Sequence, residues 1–424
     1  MNEIFCDVAV IGAGPAGLAA SVAAKKQGAG KVLVIERDTA PGGILRQCIH
    51  PGFGLSYFNE ELTGPEYAGR FIASARQEGV EFLPDTIVLE ISGSDVICSG
   101  SKNGISTIRA KSIVLAMGCR ERTRGNLAIP GTRPSGIYTA GAAQRLINIQ
   151  NIMVGRRILI LGSGDIGMIM ARRLSLEGAE VVAVVEIMDY LAGLTRNRVQ
   201  CLDDYNIPLM LSHTVTRIEG EKRLTGCMVA KVDENRRPVP GTEKLFECDT
   251  LLLSVGLIPE NELSLAAGIR LSSITGGPVF NQYMQTSMPN IFACGNVVHV
   301  NDLADNVSAE SETAGRESAR FAAGTLPEHT GSADCVPGKN IRYICPQTVA
   351  INDCESEIKL YFRVARPHVG ALLTASSNGR VIASKKTVKV NPGEMEHLAI
   401  NTATLTPGEI VIDAQENKTQ INAE

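Results

Sequence analysis

The sequence contains no tryptophan, and only 4% of its 424 residues are aromatic, so base-stacking platforms for single-stranded nucleic acid are not expected. It also lacks a run of about 20 apolar residues, so we predict no integral membrane segment. The formal net charge of -4 gives no reason to expect nucleic acid or an anionic membrane as a partner. A hydrophobic content of 44% with 20% charged residues is ordinary for a soluble globular protein.

Cysteine is frequent, but its spacing does not suit metal or disulfide chemistry. The 11 cysteines form no C-x-x-C motif, and no cysteine–histidine group has the spacing of a zinc or iron–sulfur site. We therefore predict no metal centre and interpret these thiols mainly as small buried hydrophobes. The N-terminus shows no basic, cleavable leader, so secretion is not expected and the cytoplasm is the predicted location.

The first strong pattern is a short apolar strand that runs directly into a glycine-rich turn. Residues 8–11 are typical of a buried parallel strand, and Gly12, Gly14 and Gly17 follow at G-x-G-x-x-G spacing. This spacing provides a tight turn, bare backbone for a pyrophosphate and a close helix–strand contact. Glu36 ends the next predicted strand, where a carboxylate can accept both ribose hydroxyls.

The same pattern recurs in the middle of the chain. Residues 157–161 are an apolar strand, Gly162, Gly164 and Gly167 repeat the spacing, and Glu186 ends the strand that follows. Two matches in one strand–helix–strand–acid order predict two dinucleotide sites and electron transfer between two bound nucleotides.

The chain order also predicts the domain organisation. The second pattern interrupts the first, and a short strand at 291–293 returns as if to complete the first domain. From about residue 331 the sequence changes to strand-like runs with turn signals such as Asn378-Gly379. We predict an α/β protein with two Rossmann-like three-layer dinucleotide-binding domains, the second inserted in the first, plus a C-terminal all-β domain. The predicted boundaries are 1–120 with 251–330, then 121–250, and 331–424.

Four motifs in this order resemble the two-dinucleotide-binding-domain flavoproteins, the pyridine nucleotide–disulfide oxidoreductase-like superfamily. They are the first glycine turn with Glu36, residues 114–118, the second glycine turn with Glu186, and residues 292–296. The resemblance implies FAD in the first domain, NAD(P)H in the second, and hydride transfer between nicotinamide C4 and flavin N5. Most of the superfamily has Asp where this chain has Asn296, which can hydrogen-bond the ribityl chain but brings no charge.

The predicted cofactor-binding residues follow from these motifs. For FAD they are Gly12, Gly14, Pro15, Ala16, Gly17, Glu36, Arg37, Gly43, Gln47, Val88, Ala116, Gly118, Gly295 and Asn296. For NAD(H) they are Gly162, Gly164, Asp165, Ile166, Gly167 and Glu186. Gly256, at the end of a later buried strand, is a further predicted cofactor-binding residue.

The nucleotide preference is predicted from the acid of the second pattern. Glu186 favours NAD(H) over NADP(H), because a carboxylate repels a 2′-phosphate. Arg172, Arg173 and Arg196 are either ligands for such a phosphate or, as we favour, solvated charges on helices.

The sequence departs from the disulfide reductases of this superfamily, which carry a redox cysteine pair. Here Gly42-Gly43 is followed by Cys48 alone, and the second domain shows no pair. Cys48 is either a peroxidase-type or mixed-disulfide thiol close to the flavin, or an ordinary loop thiol outside the chemistry. His50 is, with Cys48, a candidate catalytic residue. His50, His299 and Asp302 are either proton shuttles or loop-stabilising residues.

A narrower resemblance covers the segments 42–54, 138–144 and 294–305 and the β tail. These are similar to a bacterial flavoprotein family associated with anaerobic glycerol-3-phosphate dehydrogenase systems, and residues 139–144 also to α subunits of sarcosine, opine and hydroxyproline oxidising complexes. The resemblance implies an oligomer in which the partner is a substrate-oxidising flavoprotein subunit. A small iron–sulfur or cysteine-rich protein is a further candidate partner.

Three functions are therefore considered. The first is an FAD oxidoreductase subunit that passes electrons between NAD(H) and a partner dehydrogenase of the glycerol-3-phosphate type. The second is a self-contained NADH-dependent peroxidase or oxidase that uses Cys48. The third is a non-catalytic dinucleotide-binding interaction protein.

Overall fold

A computed structural model describes residues 2–351 and 357–416 of the chain. The strands in chain order are β1 (Asn2–Ile11), β2 (Val32–Ile35), β3 (Glu81–Leu83), β4 (Thr86–Ser92), β5 (Asp95–Gly100), β6 (Gly104–Leu115), β7 (Cys119–Glu121), β8 (Ile137–Thr139), β9 (Arg157–Leu161), β10 (Glu180–Val185), β11 (Leu209–Met210), β12 (His213–Gly220), β13 (Leu224–Lys231), β14 (Lys244–Glu247), β15 (Thr250–Leu253), β16 (Leu257–Pro259), β17 (Ile291–Ala293), β18 (Gly331–Pro337), β19 (Ile341–Cys345), β20 (Thr348–Ile351), β21 (Glu357–Val364), β22 (His368–Ser377), β23 (Arg380–Val390), β24 (Glu396–Asn401) and β25 (Gly408–Glu416). The α-helices are α1 (Pro15–Lys26), α2 (Gly64–Gln77), α3 (Arg124–Leu127), α4 (Ala140–Asn148), α5 (Asp165–Leu176), α6 (Thr195–Cys201), α7 (Glu262–Ala266) and α8 (Ala304–Ala322).

The chain divides into two compact units. One contains the residues up to Cys119 together with those from Pro259 onward, and the other is Arg120–Ile258. The predicted boundary at 250/251 is wrong, because β15 lies inside the sheet of the second unit, between β9 and β8. No helix of the part of the chain that the structure describes is long and apolar enough to cross a membrane.

The first unit is built on a seven-stranded sheet. Its parallel strands β3, β2, β1, β6 and β17 lie side by side, and β4 and β5 extend the sheet in antiparallel fashion through β6. The apolar residues 8–11 pair with β2 on one side and β6 on the other, so their side chains are buried as the sequence predicts. Strand β6 is continuous, since β1 pairs along nearly its whole length.

The second unit repeats this plan with its own sheet. The parallel strands follow the order β11-β10-β9-β15-β8, and β12, β13 and β14 form a separate antiparallel sheet. Helix α5 follows β9 directly after the glycine turn, as α1 follows β1 in the first unit. The two Rossmann-like sheets and their glycine turns confirm the predicted fold class.

The C-terminal segment forms a β domain with its own core. One sheet has the order β20-β18-β25-β22-β23 and the other β19-β21-β24. In β21 the residues Leu360, Phe362 and Val364 alternate with less buried ones, which is the pattern of a strand with one face in a core. The predicted all-β character is thus observed, while 352–356 and 417–424 of the predicted range lie outside the described residues.

The β domain is fastened to the rest of its unit by a buried arginine on β21. Arg363 forms an ion pair with Asp302, and its guanidinium also donates to the carbonyls of Val300 and Pro392, each at 3.1 Å. Asp302 also accepts a hydrogen bond from the amide of Met395 at 2.7 Å. A second connection is the side chain of Gln282, which pairs with the backbone of Ala350.

Candidate cofactor and active site

The first glycine turn is shaped by contacts that only glycine allows. Gly12 has φ +103°, and a Cβ there would lie 2.5 Å from the carbonyl oxygen of Ala116. A Cβ at Gly17 would overlap the carbonyl oxygen of Gly12, because α1 packs directly on the turn. By contrast, a Cβ at Gly14, the N-cap of α1, would meet nothing within 4 Å. This open backbone before a helix N-terminus fits the pyrophosphate of a dinucleotide.

The acid that ends β2 is held at this turn. Glu36 is 6% exposed, and its carboxylate accepts one hydrogen bond from the amide of Ala13 and one from the amide of Asp38, each at 2.8 Å. Each oxygen retains a lone pair that can accept a ribose hydroxyl. This arrangement is compatible with the ribose role of Glu36, which stays a prediction. Arg37 follows it on the surface.

The glycine-rich loop after β2 lies against the same turn. The amide of Gly42 donates to the carbonyl of Ala13 at 2.8 Å, and a Cβ on Gly43 would lie 2.8 Å from Cα of Gly14. Gln47 is on the 3-10 turn that follows and is 5% exposed. The predicted residues Gly43 and Gln47 thus belong to the loop that borders the first dinucleotide turn.

The late glycine motif reaches the other side of the turn. Cys294 donates its amide to the carbonyl of Leu115 at 3.0 Å, and a Cβ on Gly295 would lie 2.7 Å from Cβ of Ala16. The amide oxygen of Asn296 accepts from the amide of Asn301 at 3.0 Å. The first site therefore brings together the glycine turn, the Gly42-Gly43 loop and this late motif.

Three further predicted FAD residues lie on β4 and just beyond β6. Ala116 lies against Gly12 and donates its amide to the carbonyl of Ile11 at 2.9 Å. Gly118, two residues later, has a φ of +74°. Val88 is a buried residue of β4. Thr86, two positions before Val88 on β4, donates its amide to the carbonyl of Glu36 at 2.9 Å. Thr86 and not Val88 is therefore the β4 residue that bonds the backbone of Glu36.

The second glycine turn repeats the geometry of the first. Gly162 has φ +99°, and a Cβ there would overlap the carbonyl oxygen of Ser254. The Ser254 hydroxyl accepts from the amide of Gly167 at 3.1 Å and would lie 3.0 Å from a Cβ on Gly164. Ser254 precedes Val255-Gly256 as Ala116 precedes Met117-Gly118. The internal repeat could therefore have predicted Ser254 as a residue of the second turn, which sequence reasoning missed.

The acid of the second site is held like that of the first. Glu186 is 4% exposed and accepts from the amide and the hydroxyl of Ser163, both at 2.8 Å, and from the amide of Met188 at 2.9 Å. Asp165 opens α5 and accepts from the amide of Leu194 at 2.9 Å, and Ile166 is the next helical residue.

The arginines considered as 2′-phosphate ligands have other partners. Arg172 donates to the Tyr205 hydroxyl at 3.4 Å, and Arg173 pairs with Glu177 at 2.6 Å. These contacts favour the interpretation of both residues as structural helix charges. Arg196 lies on α6, where no contact among the described residues decides its role.

Cys48 lies in a setting that does not support a reactive thiolate. Its side chain is 7% exposed, its Sγ donates to the carbonyl of Ile44 at 3.3 Å, and burial raises the pKa of the thiol to about 12. His50 is more open, with its Nδ1 2.9 Å from the carbonyl oxygen of Pro51 and its ring 5.2 Å from that of Phe53. The assignment of Cys48 and His50 as catalytic stays a prediction, and the geometry weakens it for Cys48.

The structure also brings together residues that sequence reasoning missed. Asp305 is 6% exposed and accepts from the amides of Gly54 and Ser56 at 2.8 Å, so it anchors the glycine-rich loop on α8. Cys227 and Cys248 are buried with their Sγ atoms 3.9 Å apart. The second unit therefore does contain a thiol pair outside its glycine turn, with Cys227 on β13 and Cys248 just after β14. Within 2–351 and 357–416, no three or more His, Cys, Asp or Glu residues are grouped to hold a metal ion.

Comparisons with known proteins agree with this geometry. The family model "Pyridine nucleotide-disulphide oxidoreductase" matches residues 6–317. A thioredoxin reductase of Listeria monocytogenes is 27% identical over 304 residues, covering 70% of this chain and 87% of that protein. An opine oxidase subunit of Agrobacterium tumefaciens is 26% identical over 285 residues, covering 63% of this chain and 55% of that protein.

A solved structure shows the same fold. The thioredoxin reductase of T. acidophilum superposes with a TM-score of 0.61 at 23% identity, over 76% of this chain and 99% of that protein. The family model spans far more than half of the chain, and both glycine turns fit the two nucleotides of the family. This chain therefore belongs to the pyridine nucleotide-disulphide oxidoreductase family and is an FAD/NAD(P)-dependent oxidoreductase.

Proposed function

We propose that this chain is an electron-transferring FAD subunit. It passes electrons between NAD(H) and a separate substrate-oxidising flavoprotein, and we infer a partner of the glycerol-3-phosphate dehydrogenase type from the segments 42–54, 138–144 and 294–305. FAD and NAD(H) supply hydride transfer when bound. The chain itself would hold FAD with Glu36, Gly14 and Asn296 and NAD(H) with Gly164 and Glu186.

The observation that carries this proposal is the combination of two complete dinucleotide turns with a buried thiol, Cys48, on the loop beside the first. A reductase that ends on a disulfide needs two thiols close to the flavin. Cys48 is the thiol on the Gly42-Gly43 loop, and its raised pKa disfavours attack on a disulfide or a peroxide. We therefore propose that electrons that reach the first site pass to an acceptor on a partner subunit.

Two further observations support parts of the proposal. The similarity to a protein named as one subunit of an opine oxidase supports a multi-subunit system. The carboxylate of Glu186 is held at the second glycine turn, which supports NAD(H) over NADP(H).

The test uses the purified full chain and its visible spectrum. We expect a yellow protein that NADH bleaches anaerobically, and that reoxidises slowly with oxygen, peroxide or a small disulfide. Adding the glycerol-3-phosphate-oxidising flavoprotein of the same organism should restore turnover. Rapid peroxide or disulfide reduction that disappears in Cys48→Ser would overturn the proposal in favour of the self-contained peroxidase.

A further inference from the structure

A buried imidazole–carboxylate pair lies directly behind the late glycine motif. The side chain of His299 is 1% exposed and that of Glu310 is 8% exposed. Nε2 of the imidazole is 2.7 Å from Oε2 of the carboxylate. Burying polar groups this deeply costs free energy unless they are hydrogen-bonded, and solvent does not supply those bonds here. The presence of this buried pair therefore needs an explanation.

The carboxylate links this imidazole to the cofactor-binding backbone. Oε1 of Glu310 accepts a hydrogen bond from the amide of Gly295 at 2.9 Å. The backbone of His299 also returns to the same glycine, with its amide 3.5 Å from the Gly295 carbonyl oxygen. A change in charge on the imidazole therefore acts through Glu310 on the residue that packs against α1.

Two buried atoms of the same loop have no partner among the described residues. They are Nδ1 of His299 and Nδ2 of Asn301. The backbone amide of Asn301 meanwhile donates to the side chain of Asn296, so this loop is continuous with the late motif. A buried polar atom without a hydrogen-bond partner costs about 1–3 kcal/mol. Two such atoms on one loop indicate that it is built to face a polar ligand.

The neighbouring ionisable groups do not compete with this pair at neutral pH. Burial raises the pKa of the Cys294 thiol to about 12 and also raises the pKa of the Cys345 thiol and the Tyr361 hydroxyl, so all three are uncharged. On the adjoining loop, the carboxylate of Asp302 is neutralised by Arg363.

We propose that His299 takes up a proton at Nδ1 for each hydride accepted at the first site, and that Glu310 holds the resulting imidazolium. This inference rests on the proposed function, because it needs FAD at that site. A hydride carries two electrons and one proton from the nicotinamide, and leaves one extra negative charge at the first site. An additional proton from solvent, bound at Nδ1, balances that charge, because a nearby negative charge favours the charged imidazole. His299 then balances the negative charge of the first site without contacting the reacting atoms.

The test counts protons rather than turnover. The FAD-loaded chain is reduced anaerobically with NADH in weakly buffered solution that contains a pH indicator, between pH 6 and pH 8. We expect wild type to consume about one proton per NADH in addition to the transferred hydride. His299→Gln keeps a hydrogen-bond donor but cannot titrate, and Glu310→Gln removes the charge that holds the imidazolium. Both variants should consume at least twofold less.

The matched control is a surface histidine–glutamate pair. His368 lies 3.8 Å from Glu416 with both side chains partly exposed, so His368→Gln should retain the wild-type proton count. An unchanged count in His299→Gln at full FAD content would overturn the proposal. If that variant does not fold, wild type still decides, because the absence of proton uptake refutes the role of Nδ1. A wild-type chain that binds no FAD refutes the proposed function as well.

Discussion

Substituting Glu186 by Gln tests the assignment of the second site most directly. The carboxylate accepts from the backbone amide and hydroxyl of Ser163 and from the amide of Met188, at 2.8, 2.8 and 2.9 Å. A glutamine side chain has only one accepting atom. In either orientation at least one backbone amide therefore faces an NH₂ group, while the shape of the side chain is unchanged.

The expected magnitude has two parts. A buried donor left unpaired costs about 1–3 kcal/mol, which corresponds to about 5- to 150-fold when it falls on NADH binding. Removing the carboxylate also removes its repulsion of a 2′-phosphate. Two unit charges 4 Å apart repel by about 1 kcal/mol in water and about 4 kcal/mol at an effective dielectric of 20. Because Glu186 is 4% exposed, we expect the ratio of kcat/KM for NADH over NADPH to fall at least about tenfold.

The assay is steady-state reduction of a small dye with each nucleotide, using FAD-saturated protein. The matched control is Glu36→Gln, because Glu36 is held by the amides of Ala13 and Asp38 in the same way at the first site. It should lower FAD content and leave the nucleotide ratio of the loaded fraction unchanged. A Glu186→Gln ratio equal to wild type, or an equal shift in Glu36→Gln, would refute the assignment of the two sites.

Three further changes have expected outcomes. Gly17→Ala places a methyl group on the carbonyl oxygen of Gly12, so we expect loss of bound FAD and a lower Tm, measured by thermal unfolding and visible absorbance. Asp7→Asn removes a carboxylate whose pKa is lowered by a hydrogen bond from Lys111 and by backbone donors. A carboxyl group with a lowered pKa in the folded state stabilises the fold at pH values above its unfolded pKa. This contribution is lost as the pH falls through the folded pKa. Urea unfolding should show the variant less stable at pH 6 and equal to wild type at strongly acidic pH. Arg363→Met leaves a nearly buried carboxylate without its cation, and we expect about 3–5 kcal/mol lost in urea unfolding.

Each of these changes has a control within the chain. Gly14→Ala adds a methyl group to open space and should keep the Tm of the FAD-free protein, so an equal loss in both glycine variants would contradict the packing explanation. Lys111→Met should reproduce part of the acid profile of Asp7→Asn, because backbone donors to Asp7 remain, and a wild-type profile would exclude Lys111 as the main cause of the lowered pKa. Arg342 is exposed on β19, and Arg342→Met should cost under about 0.5 kcal/mol.

Sequence patterns predicted those parts of the fold that are determined by residues close together in the chain. An apolar strand, a glycine spacing and a strand-ending acid are consecutive in the chain, so both dinucleotide turns could be identified from sequence. The length of β6 could not be predicted in this way, because pairing with β1, and not local propensity, sets it.

The rest of the site depends on contacts between distant residues. The bonds from Gly54 and Ser56 to Asp305 cross about 250 positions, and the Gly167–Ser254 contact crosses 87. Cys227 and Cys248 meet only because of the register of β13 and β14, which the sequence leaves open. The periodicity of hydrophobic residues does not predict such contacts between distant residues. For Ser254 alone, the internal repeat could have predicted the position.

The attachment of the β domain has a consequence for truncation. The thioredoxin reductase of T. acidophilum is matched over 99% of its length by 76% of this chain, so a minimal reductase-sized fragment is a natural one to produce. Cutting before β18 would leave Asp302 without Arg363 and Gln282 without Ala350, and would uncover apolar surface now packed by Tyr343 and Cys345. Such a fragment would expose an apolar, aggregation-prone face beside the late glycine motif, so the β domain has to be kept in any shortened form of the protein that is meant to bind FAD.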